Sequence, residues 1–451
     1  MKLVKTLSFF IILVALASYV YFYEIKGGEE RDKIKNLEEQ IFNFEKDSVK
    51  AIDIRSALNQ FYFEKSEDGW RIIRPVETDG DKTTIDGVIN TLSNLKKVRD
   101  FNIKKEDLKD YGLVGRSTLV ILIFNDGTRD SVRFGDDTPV GSNVFANKND
   151  TTVFIVASYT KNQVTKNLFD YRDKSITKVK RDDIREFRVK NEKGQFHLVK
   201  EGNDWYLEAP METKADNSTI TSFLSKMEHG KAKSVVSETL ENPQEYRLEK
   251  PSYEVDLYLG ESRAHKRIIF SSLKDNVSYV QDESRPHVFT VDSLFIRDID
   301  KDIFQFRDKN FADYDKDKAD SVVVIQGDSL ITFTKDTSDT WIYAFKEKVK
   351  NWKMNSLLNS VKNLKANKFL LEGLSDTKQF GLATPERIIR IFSKGVQIQE
   401  LKLVSVNDDQ KIAFCPNSQV VAEIEKSTYN NFEVKPSEFI EEEKKIPEEV
   451  S

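Results

Sequence analysis

The chain has 451 residues, of which 39% are hydrophobic and 32% are charged, enough apolar material for roughly two to four domain cores. Lysine and arginine number 70 against 75 aspartate and glutamate, so the formal net charge is -5. A balance this close to neutral excludes nucleic acid as an expected partner. The single cysteine rules out an internal disulfide, and four histidines leave little material for a zinc site.

The N-terminus carries an apolar segment at residues 6–23, TLSFFIILVALASYVYFY, without a charged side chain. A helix of that length spans about 27 Å, close to the ~30 Å hydrocarbon core of a bilayer. Lys2 and Lys5 precede it, and the positive-inside rule therefore predicts a single-pass anchor whose N-terminus lies in the cytoplasm. A cleaved signal peptide is the alternative, because residues 15–17, Ala-Leu-Ala, have the form of a cleavage site.

Charge-dense segments flank the part of the chain that is expected to fold. Residues 1–23 are predicted to be the anchor and residues 24–44 a charged stalk, while residues 441–451, EEEKKIPEEVS, are predicted to be a disordered acidic tail. Three tandem repeat units are predicted between the stalk and the tail, at residues 45–176, 177–312 and 313–440.

The repeats rest on three landmarks that recur at a period near 135 residues. The first is a tryptophan, at Trp70, Trp205 and Trp341, with separations of 135 and 136 residues. The second is an aromatic-x-leucine element, at residues 111–113, 246–248 and 380–382. The third closes each unit with FDYRDKSI from Phe169, FQFRDKNF from Phe304 and FEVKPSEF from Phe432. A period this long predicts units that each close a core of their own.

An amphipathic helix is predicted between the first two landmarks of every unit, because apolar residues recur there at i, i+3, i+4 and i+7. The three stripes are Ile85, Val88, Ile89 and Leu92; Ile220, Phe223, Leu224 and Met227; and Met354, Leu357, Leu358 and Val361. Asp81 and Asp216 stand four residues before the first two stripes, where a helix N-cap is expected.

Apolar or alternating runs before and after each helix indicate strands, as at residues 49–54, 184–189 and 321–325. Residues 125–127, Asn-Asp-Gly, are typical of a tight hairpin turn. Since strands flank one helix without a βαβ alternation, the predicted class is α+β. The full prediction is an N-terminal transmembrane helix followed by three tandem repeats, each an antiparallel β-rich unit with one long amphipathic helix.

These elements resemble the bacterial family known as domain of unknown function 4340. A tryptophan in a strand, a proline soon after it, an amphipathic helix, a Tyr-Gly-Leu element and a Gly-Asp-x-Thr-Pro-x-Gly turn carry the resemblance. In the first unit they are Trp70, Pro75, residues 85–95, residues 111–113 and residues 135–141. The resemblance covers residues from about 45 to 440 in three copies, but the second copy has lost the glycine turn and the third lacks a counterpart of Pro75.

The resemblance has implications of its own for function. Similar proteins have one N-terminal membrane segment and are often encoded beside ABC transporter components of the gliding-motility type. An accessory role at a membrane complex is therefore implied, with a transporter permease or auxiliary subunits as partners. No catalytic residue is established for the family, so the resemblance transfers none.

A search for chemical signatures leads us to predict no catalytic, cofactor-binding or metal-binding residue. The run FGDDTPVGS at residues 134–142 lacks the lysine of a phosphate-binding loop and is interpreted as a turn between strands. Asp298, Asp300 and Asp302 begin like a calcium loop, as do residues 313, 315 and 317, but both lack the required glycine and glutamate. We interpret both aspartate clusters as solvated linkers between units.

The remaining candidate side chains also favour structural interpretations. His197 lies in an alternating run and is expected to be a half-exposed strand residue, and Cys415 to be a buried, inert thiol. Stacking on a sugar or peptide is the alternative for the tryptophans of the first landmark. Their recurrence at one place in each unit favours packing in the core.

Two functions remain open at this stage. The first is a non-enzymatic, membrane-anchored envelope protein that serves as a scaffold or accessory subunit of a membrane complex, for which the resemblance suggests a gliding-motility-type ABC transporter. The alternative is an extracytoplasmic glycan- or peptide-binding or processing protein with a site between repeat units. Both place the chain at the cytoplasmic (inner) membrane, anchored through its N-terminal helix, with its bulk in the periplasm.

Overall fold

The computed structural model describes residues 16–21, 36–115, 117–148, 151–373 and 380–441. These residues form three nine-stranded antiparallel sheets, which follow one another along the chain. Contacts divide the chain into two compact units, Met1–Ser175 with Lys231–Val235 and Ile176–Gly230 with Val236–Ser451. The tandem β-rich repeats predicted from the sequence are thus confirmed, whereas the exact limits predicted for each repeat remain a prediction.

The first sheet lies between residues 49 and 157. Its strands are β1 Val49–Arg55, β2 Gln60–Ser66, β3 Gly69–Arg74, β4 Thr78–Gly80, β5 Arg99–Asn102, β6 Thr118–Phe124, β7 Arg129–Asp137, β8 Asn143–Asn147 and β9 Thr152–Ala157. Their order in the sheet is β4-β3-β2-β1-β6-β7-β8-β9-β5. Two meanders therefore meet at the β1–β6 pair, in which Ile52 lies opposite Leu122.

The second and third sheets repeat this order. The second contains β10 Ile184–Asn191, β11 Gly194–Glu201, β12 Asp204–Ala209, β13 Thr213–Lys214, β14 Ser234–Ser237, β15 Tyr253–Leu259, β16 Ala264–Phe270, β17 Val277–Asp282 and β18 Val288–Asp292. The third contains β19 Ser321–Gln326, β20 Ser329–Lys335, β21 Trp341–Tyr343, β22 Glu347–Lys348, β23 Lys368–Glu372, β24 Arg387–Ser393, β25 Val396–Ser405, β26 Lys411–Cys415 and β27 Val420–Ile424. The orders are β13-β12-β11-β10-β15-β16-β17-β18-β14 and β22-β21-β20-β19-β24-β25-β26-β27-β23.

Each repeat has one long helix and short helices near its end. They are α1 Lys82–Ser93, α2 Ser158–Val164, α3 Leu168–Tyr171, α4 Asn217–His229, α5 Ser293–Ile299, α6 Ile303–Phe306, α7 Asn351–Lys362, α8 Lys426–Asn430 and α9 Pro436–Phe439. Short 3-10 turns lie at Lys46–Ser48, Lys105–Tyr111, Arg181–Asp183 and Lys316–Lys318. The three predicted apolar stripes are buried on the long helices α1, α4 and α7.

The caps predicted for the first two long helices are present. The Asp81 carboxylate accepts a hydrogen bond from the Thr84 amide at 2.8 Å, and that of Asp216 accepts one from the Thr219 amide at 2.7 Å. Such bonds satisfy amides that have no partner within the helix. The third long helix begins after Lys350, which makes no side-chain cap bond.

The tryptophans of the first landmark are buried, which confirms their predicted place in the cores. Trp70, Trp205 and Trp341 expose 3%, 6% and 4% of their surface. In the second repeat the Trp205 ring lies 5.2 Å from that of Phe187, which in turn stacks on Phe223 at 5.3 Å. The closing landmark packs in the same place, since its Phe306 ring lies 5.8 Å from that of Phe223.

The Tyr-Gly-Leu landmark of the first repeat contacts the Gly-Asp turn at residues 135–141. Gly112 lies in the left-handed region at φ 65°, and a Cβ on it would clash with the Asp136 carboxylate. A Cβ on Gly135 would likewise clash with the Tyr111 carbonyl oxygen. Gly135 is therefore required for the close approach to the Tyr-Gly-Leu element, and Gly112 is favoured by its left-handed backbone. In the second repeat the turn is lost and Arg247 takes the left-handed position at φ 55°.

Parts of the predicted ends fall outside the described residues. Of the anchor at residues 1–23, the structure describes 16–21 only, and no helix in the described ranges is long and apolar enough to cross a bilayer. The predicted stalk at residues 24–44 is described from residue 36 onward, where Phe42 packs in the core of the first repeat. Of the predicted tail at residues 441–451, only the first residue is described.

Candidate functional site

A groove between the second and third repeats, within the second compact unit, is the strongest candidate for a site. It begins where the third landmark, FQFRDKNF, leaves the second repeat. Asp302 caps the start of the short helix α6: its carboxylate accepts from the Gln305 amide, and its own amide donates to the Gln305 side chain. The helix ends at Phe306, just before Arg307. The Asp308 amide then bonds to the Lys214 carbonyl on β13 at 2.8 Å. This stretch therefore borders the edge of the second sheet.

The same segment continues to the third repeat through its backbone. The Lys309 carbonyl accepts a hydrogen bond from the Ala366 amide at 2.9 Å, and the Asn310 side chain donates to the Lys362 carbonyl at 2.7 Å. A chain that bonds to both neighbours through its main chain joins them regardless of side-chain identity. We refer to residues 307–312 as the junction segment.

Arg307 is the central side chain of this junction. It is 8% exposed, and its two terminal nitrogens each lie 2.8 Å from an oxygen of the Glu372 carboxylate. The guanidinium carbon lies 3.7 Å from the centre of the Phe369 ring. Parallel bonds to a carboxylate and stacking on an aromatic face are both arrangements that arginine satisfies and lysine does not. The Arg307 Nε is buried without a hydrogen-bond partner among the described residues.

The groove beside Arg307 has a volume of about 500 Å³. Its carboxylates are those of Glu212, Asp308, Asp313 and Glu372, against the two cations of Lys214 and Arg307. Apolar side chains, among them those of Met211, Phe311 and Val420, share the walls. This excess of negative charge over an apolar floor favours a neutral or cationic ligand.

Two sheet edges also border the groove. Thr213 and Lys214 belong to β13, the first strand of the second sheet, and Phe369 and Glu372 belong to β23, the last strand of the third. Edge strands present main-chain groups to one side of the sheet, and an extended peptide can pair with those that are not already bonded. On β13 the Lys214 carbonyl is already bonded to the Asp308 amide. The geometry is therefore suited to an extended chain rather than to a compact small molecule.

A second cluster of charged side chains lies on the second sheet, around Glu186. This carboxylate is 4% exposed and contacts Arg188 at 3.2 Å, His197 at 2.8 Å and Arg263. The other nitrogen of His197 lies 3.1 Å from the Glu208 carboxylate. Every group in this cluster has a polar side-chain partner, which is typical of a network that stabilises the sheet.

The same sheet face carries a partly buried carboxylate, Glu254, whose side chain is 12% exposed. Burial acts to raise its pKa, but hydrogen bonds from Lys190 and Arg267 at 2.7 and 2.6 Å hold the pKa below its usual value. The Tyr258 ring lies between cations, with Arg188 and Arg263 at 5.5 and 5.4 Å from its centre. These contacts complete a surface on which each of these charged side chains has a polar or aromatic partner.

The structure places the histidine and cysteine from the sequence analysis as follows. His197 is half-buried on β11, as expected, although its two carboxylate partners were not foreseen. Cys415 is buried, as expected, and accepts a hydrogen bond from the Gln399 side chain at 2.6 Å. The described residues contain no group of three or more His, Cys, Asp or Glu side chains placed to hold a metal ion.

The structure confirms the predicted turn at residues 138–142 but not the interpretation of the first aspartate cluster as a linker. Residues 138–142 join β7 to β8, which confirms the predicted turn. The interpretation of the first aspartate cluster as a linker was wrong, because it lies inside the second repeat. Asp298 pairs with Lys226 at 2.8 Å, and Asp302 caps α6. In the second cluster, Asp315 caps the 3-10 turn before β19.

Comparisons with known proteins give one family match. The family described as "Domain of unknown function (DUF4340)" matches residues 70–208 and 205–385, more than half of the chain. No curated protein matches. The chain is 6% identical to a Pseudomonas aeruginosa DNA polymerase sliding clamp with ligand, covering 86% of this chain and 94% of that one, at a TM-score of 0.15.

Two further solved structures give similar values. A DNA polymerase III subunit beta from Pseudomonas aeruginosa is 6% identical, covers 84% of this chain and 92% of its own, and has a TM-score of 0.13. A sliding clamp from the same organism bound to griselimycin is 8% identical, covers 87% and 95%, and has a TM-score of 0.10. Scores this low carry no argument about fold or function.

Proposed function

Because the chain belongs to the family described as domain of unknown function DUF4340, we propose that it is a non-enzymatic, membrane-anchored envelope protein. Its three repeats form a scaffold or accessory subunit of a membrane complex. The anchor is the apolar segment at residues 6–23. The partner complex suggested by the family resemblance is an ABC transporter of the gliding-motility type.

One observation carries the scaffold proposal. The side chains that recur in the repeats serve packing, as the helix stripes and the tryptophans do in each core. In the second landmark, Leu113, Leu248 and Leu382 are buried in small clusters of their own. A fold copied three times, whose shared side chains serve its own structure, supplies surface area rather than a reaction centre.

The test is co-purification from the native membrane. The full-length chain carries an affinity tag at its C-terminus, and membranes are solubilised in mild detergent before purification. We expect transporter permease or auxiliary subunits to be enriched. The matched control is a chain in which Ile11 and Val14, within the apolar segment, are changed to Arg, which should prevent insertion. Repeated recovery of the wild-type chain alone would overturn the proposal.

A second candidate function is favoured by the groove beside Arg307. Its two edge strands, apolar floor and excess of carboxylates fit an extended peptide that carries lysine or arginine. The chain would then bind a peptide segment of its partner or of another envelope protein. This is the peptide-binding form of the alternative from the sequence, with the site between the second and third repeats.

Charge reversal separates the two candidates. Glu212 and Asp313 are both exposed groove carboxylates, and changing both to Lys should lower binding of a panel of basic peptides at least tenfold if the groove binds them. The matched control is Glu347→Lys, which reverses an exposed carboxylate outside the groove. Equal peptide binding by the two variants would remove the peptide-binding candidate and leave the scaffold proposal unaffected.

A further inference from the structure

The third repeat carries an exposed basic and aromatic surface where the β21–β22 hairpin leads into α7. It comprises Phe345, at the tip of the β21–β22 hairpin, Trp352 at the start of α7, and the four lysines of the same segment. Phe345 is 88% exposed and Trp352 is 64% exposed. The lysines are Lys346, Lys348, Lys350 and Lys353. We call these six residues the basic-aromatic patch.

The backbone at the tip of the β21–β22 hairpin has an unfavourable conformation. Ala344 and Phe345 have φ angles of 49° and 67°, and the Lys346 amide bonds to the Tyr343 carbonyl at 3.1 Å. This is a tight turn with left-handed backbone at both central positions, where asparagine and glycine are the usual residues. An aromatic residue in that conformation is strained, and its side chain points away from any core. Local packing therefore gives no reason for Phe345.

The start of α7 departs from the other long helices in the same way. The N-cap residue is Asp81 or Asp216 in the first two repeats and Lys350 in the third. A cation is unfavourable at this end, where the helix dipole is positive. The second residue after the cap is an exposed Thr83 or Ser218 in the first two repeats and the exposed Trp352 in the third. The start of α7 thus lacks both the acidic cap and the small polar residue found in the other two long helices.

The charges of the patch are only partly neutralised. Lys353 lies 3.0 Å from the Glu438 carboxylate and also contacts the Trp352 ring, 5.4 Å from its centre. Glu347 is the other acidic residue within the segment. Lys346 and Lys348 are exposed and make no ion pair within the described part of the chain. Three carboxylates oppose the four lysines: Glu347, Glu438 and Glu441, whose amide bonds to the Lys348 carbonyl at 2.8 Å. The described charged residues near the two exposed aromatics therefore carry a small net positive charge.

We propose that the basic-aromatic patch rests on a bilayer surface that contains anionic headgroups. Tryptophan and other aromatic side chains favour the headgroup region, and lysines near the surface are attracted to anionic lipids. Lysine is depleted from the centres of protein–protein interfaces, so four lysines around two aromatics favour lipid over a protein partner. This inference rests on the proposed location of the chain at a membrane, and it adds a second point of contact there.

Tryptophan fluorescence tests the contact, because Trp352 is exposed while the other three tryptophans are buried. The full-length chain is placed in nanodiscs of brominated phosphatidylglycerol, whose bromines quench a tryptophan that enters the interface. The Trp352 emission is obtained by subtracting the spectrum of a Trp352→Phe chain. We expect this component to be quenched and the emission of the other three to be retained.

Charge reversal provides the matched comparison. Changing Lys346 and Lys348 to Glu should restore the Trp352 emission, whereas the same change at Lys368 and Lys394, exposed lysines outside the patch, should not. Unquenched Trp352 emission in the wild-type chain would overturn the proposal. Protection of Trp352 from aqueous iodide without quenching by bromine would also overturn it, because a second copy or another protein would then cover the patch.

The proposed anchor is tested separately in nanodiscs of phosphatidylcholine, which has no net charge to attract the lysines of the patch. A chain without a membrane anchor elutes apart from these nanodiscs, and that outcome contradicts the anchor but not the patch. Quenching is then measured on the unanchored chain mixed with brominated phosphatidylglycerol vesicles. Quenched Trp352 emission supports the patch, and unquenched emission contradicts it, so the two proposals fail independently.

Discussion

The second and third repeats have the same strand order and the same apolar stripe on the long helix, but the N-terminus of that helix differs between them. In the second repeat, Asp216 caps the helix and the exposed position that follows is Ser218. In the third, Lys350 leaves the helix uncapped and Trp352 is exposed. The buried face of the helix is thus the same in both repeats, while the exposed residues at its N-terminus differ. Positions that recur serve the fold, and positions at which one copy departs are where we look for function.

The largest expected effect separates a buried tryptophan from an exposed one. Trp205→Ala should lower the free energy of unfolding by about 3–5 kcal/mol, because it leaves a cavity beside Phe187. Trp352→Ala, the control, should change it by less than about 0.5 kcal/mol. Urea unfolding followed by circular dichroism measures both. Equal losses in the two variants would contradict the distinction between recurring and departing positions.

The next effect concerns the join between the second and third repeats. Arg307→Met should lower the free energy of unfolding by about 2–3 kcal/mol, because it removes two charge-assisted hydrogen bonds from a buried group. The cost stays below that of a fully buried pair, since the Glu372 side chain is 38% exposed. Arg181→Met is the control, because its partner Asp182 is exposed and the loss should be below about 1 kcal/mol. A cost for Arg307→Met no larger than the control would show that the join depends on its main chain alone.

The cap of the second repeat should make a smaller contribution that depends on pH. Burial acts to raise the pKa of Asp216, but hydrogen bonds from Ser218 and Thr219 hold it below the usual 3.8. Because the pKa of Asp216 is lower in the folded chain than in the unfolded chain, its stabilisation is complete above the unfolded pKa. The stabilisation is lost as the pH falls through the folded pKa. Asp216→Ala should cost about 1 kcal/mol at neutral pH.

The control for that prediction is Asp216→Asn, which retains an oxygen that can accept the cap bond but does not titrate. Unfolding in urea at pH 7 and at pH 3 should give a smaller dependence on pH for this variant than for the wild-type chain. The same dependence in both chains would mean that the carboxylate of Asp216 makes no difference to stability.

The smallest effect is a gain in stability in the third repeat. Lys350→Asp restores the residue type found at Asp81 and Asp216, and should stabilise the chain by about 0.5–1 kcal/mol. Lys362→Asp, near the other end of the helix, is the control and should destabilise it slightly, because the helix dipole has the opposite sign there. The midpoints of thermal unfolding compare the two. A loss for Lys350→Asp would mean that the lysine stabilises this helix.

The sequence predicted those parts of the fold that depend on local pattern. The stripes of the long helices and the caps at Asp81 and Asp216 follow from spacing along one segment, and all were confirmed. The Gly112 and Gly135 contact was present in the sequence as two separate motifs, but only strand pairing brings them together. The loss of the glycine turn in the second repeat, alongside Arg247 in place of glycine, is a signal that could have linked them.

The candidate site could not be predicted in the same way. Arg307 and Glu372 are 65 positions apart, and Glu372 belongs to no recurring motif. Glu186 and His197 meet because β10 and β11 are neighbours, but the pairing register that sets the contact depends on the folded sheet. Asp298 was taken for part of a linker because its partner, Lys226, lies on a different helix. Charge pairs between distant segments leave no periodic trace in a sequence.

The central claim is that recurring side chains are buried for packing while departing ones face outward, and the quenching of tryptophan fluorescence by iodide tests it most directly. Four tryptophans are present, and Trp70, Trp205 and Trp341 are buried while Trp352 is exposed. In the detergent-solubilised, full-length chain, we predict that Trp352→Phe abolishes the fraction of emission that iodide can quench. A quenchable fraction that persists in that variant would place a recurring tryptophan at the surface and contradict the account.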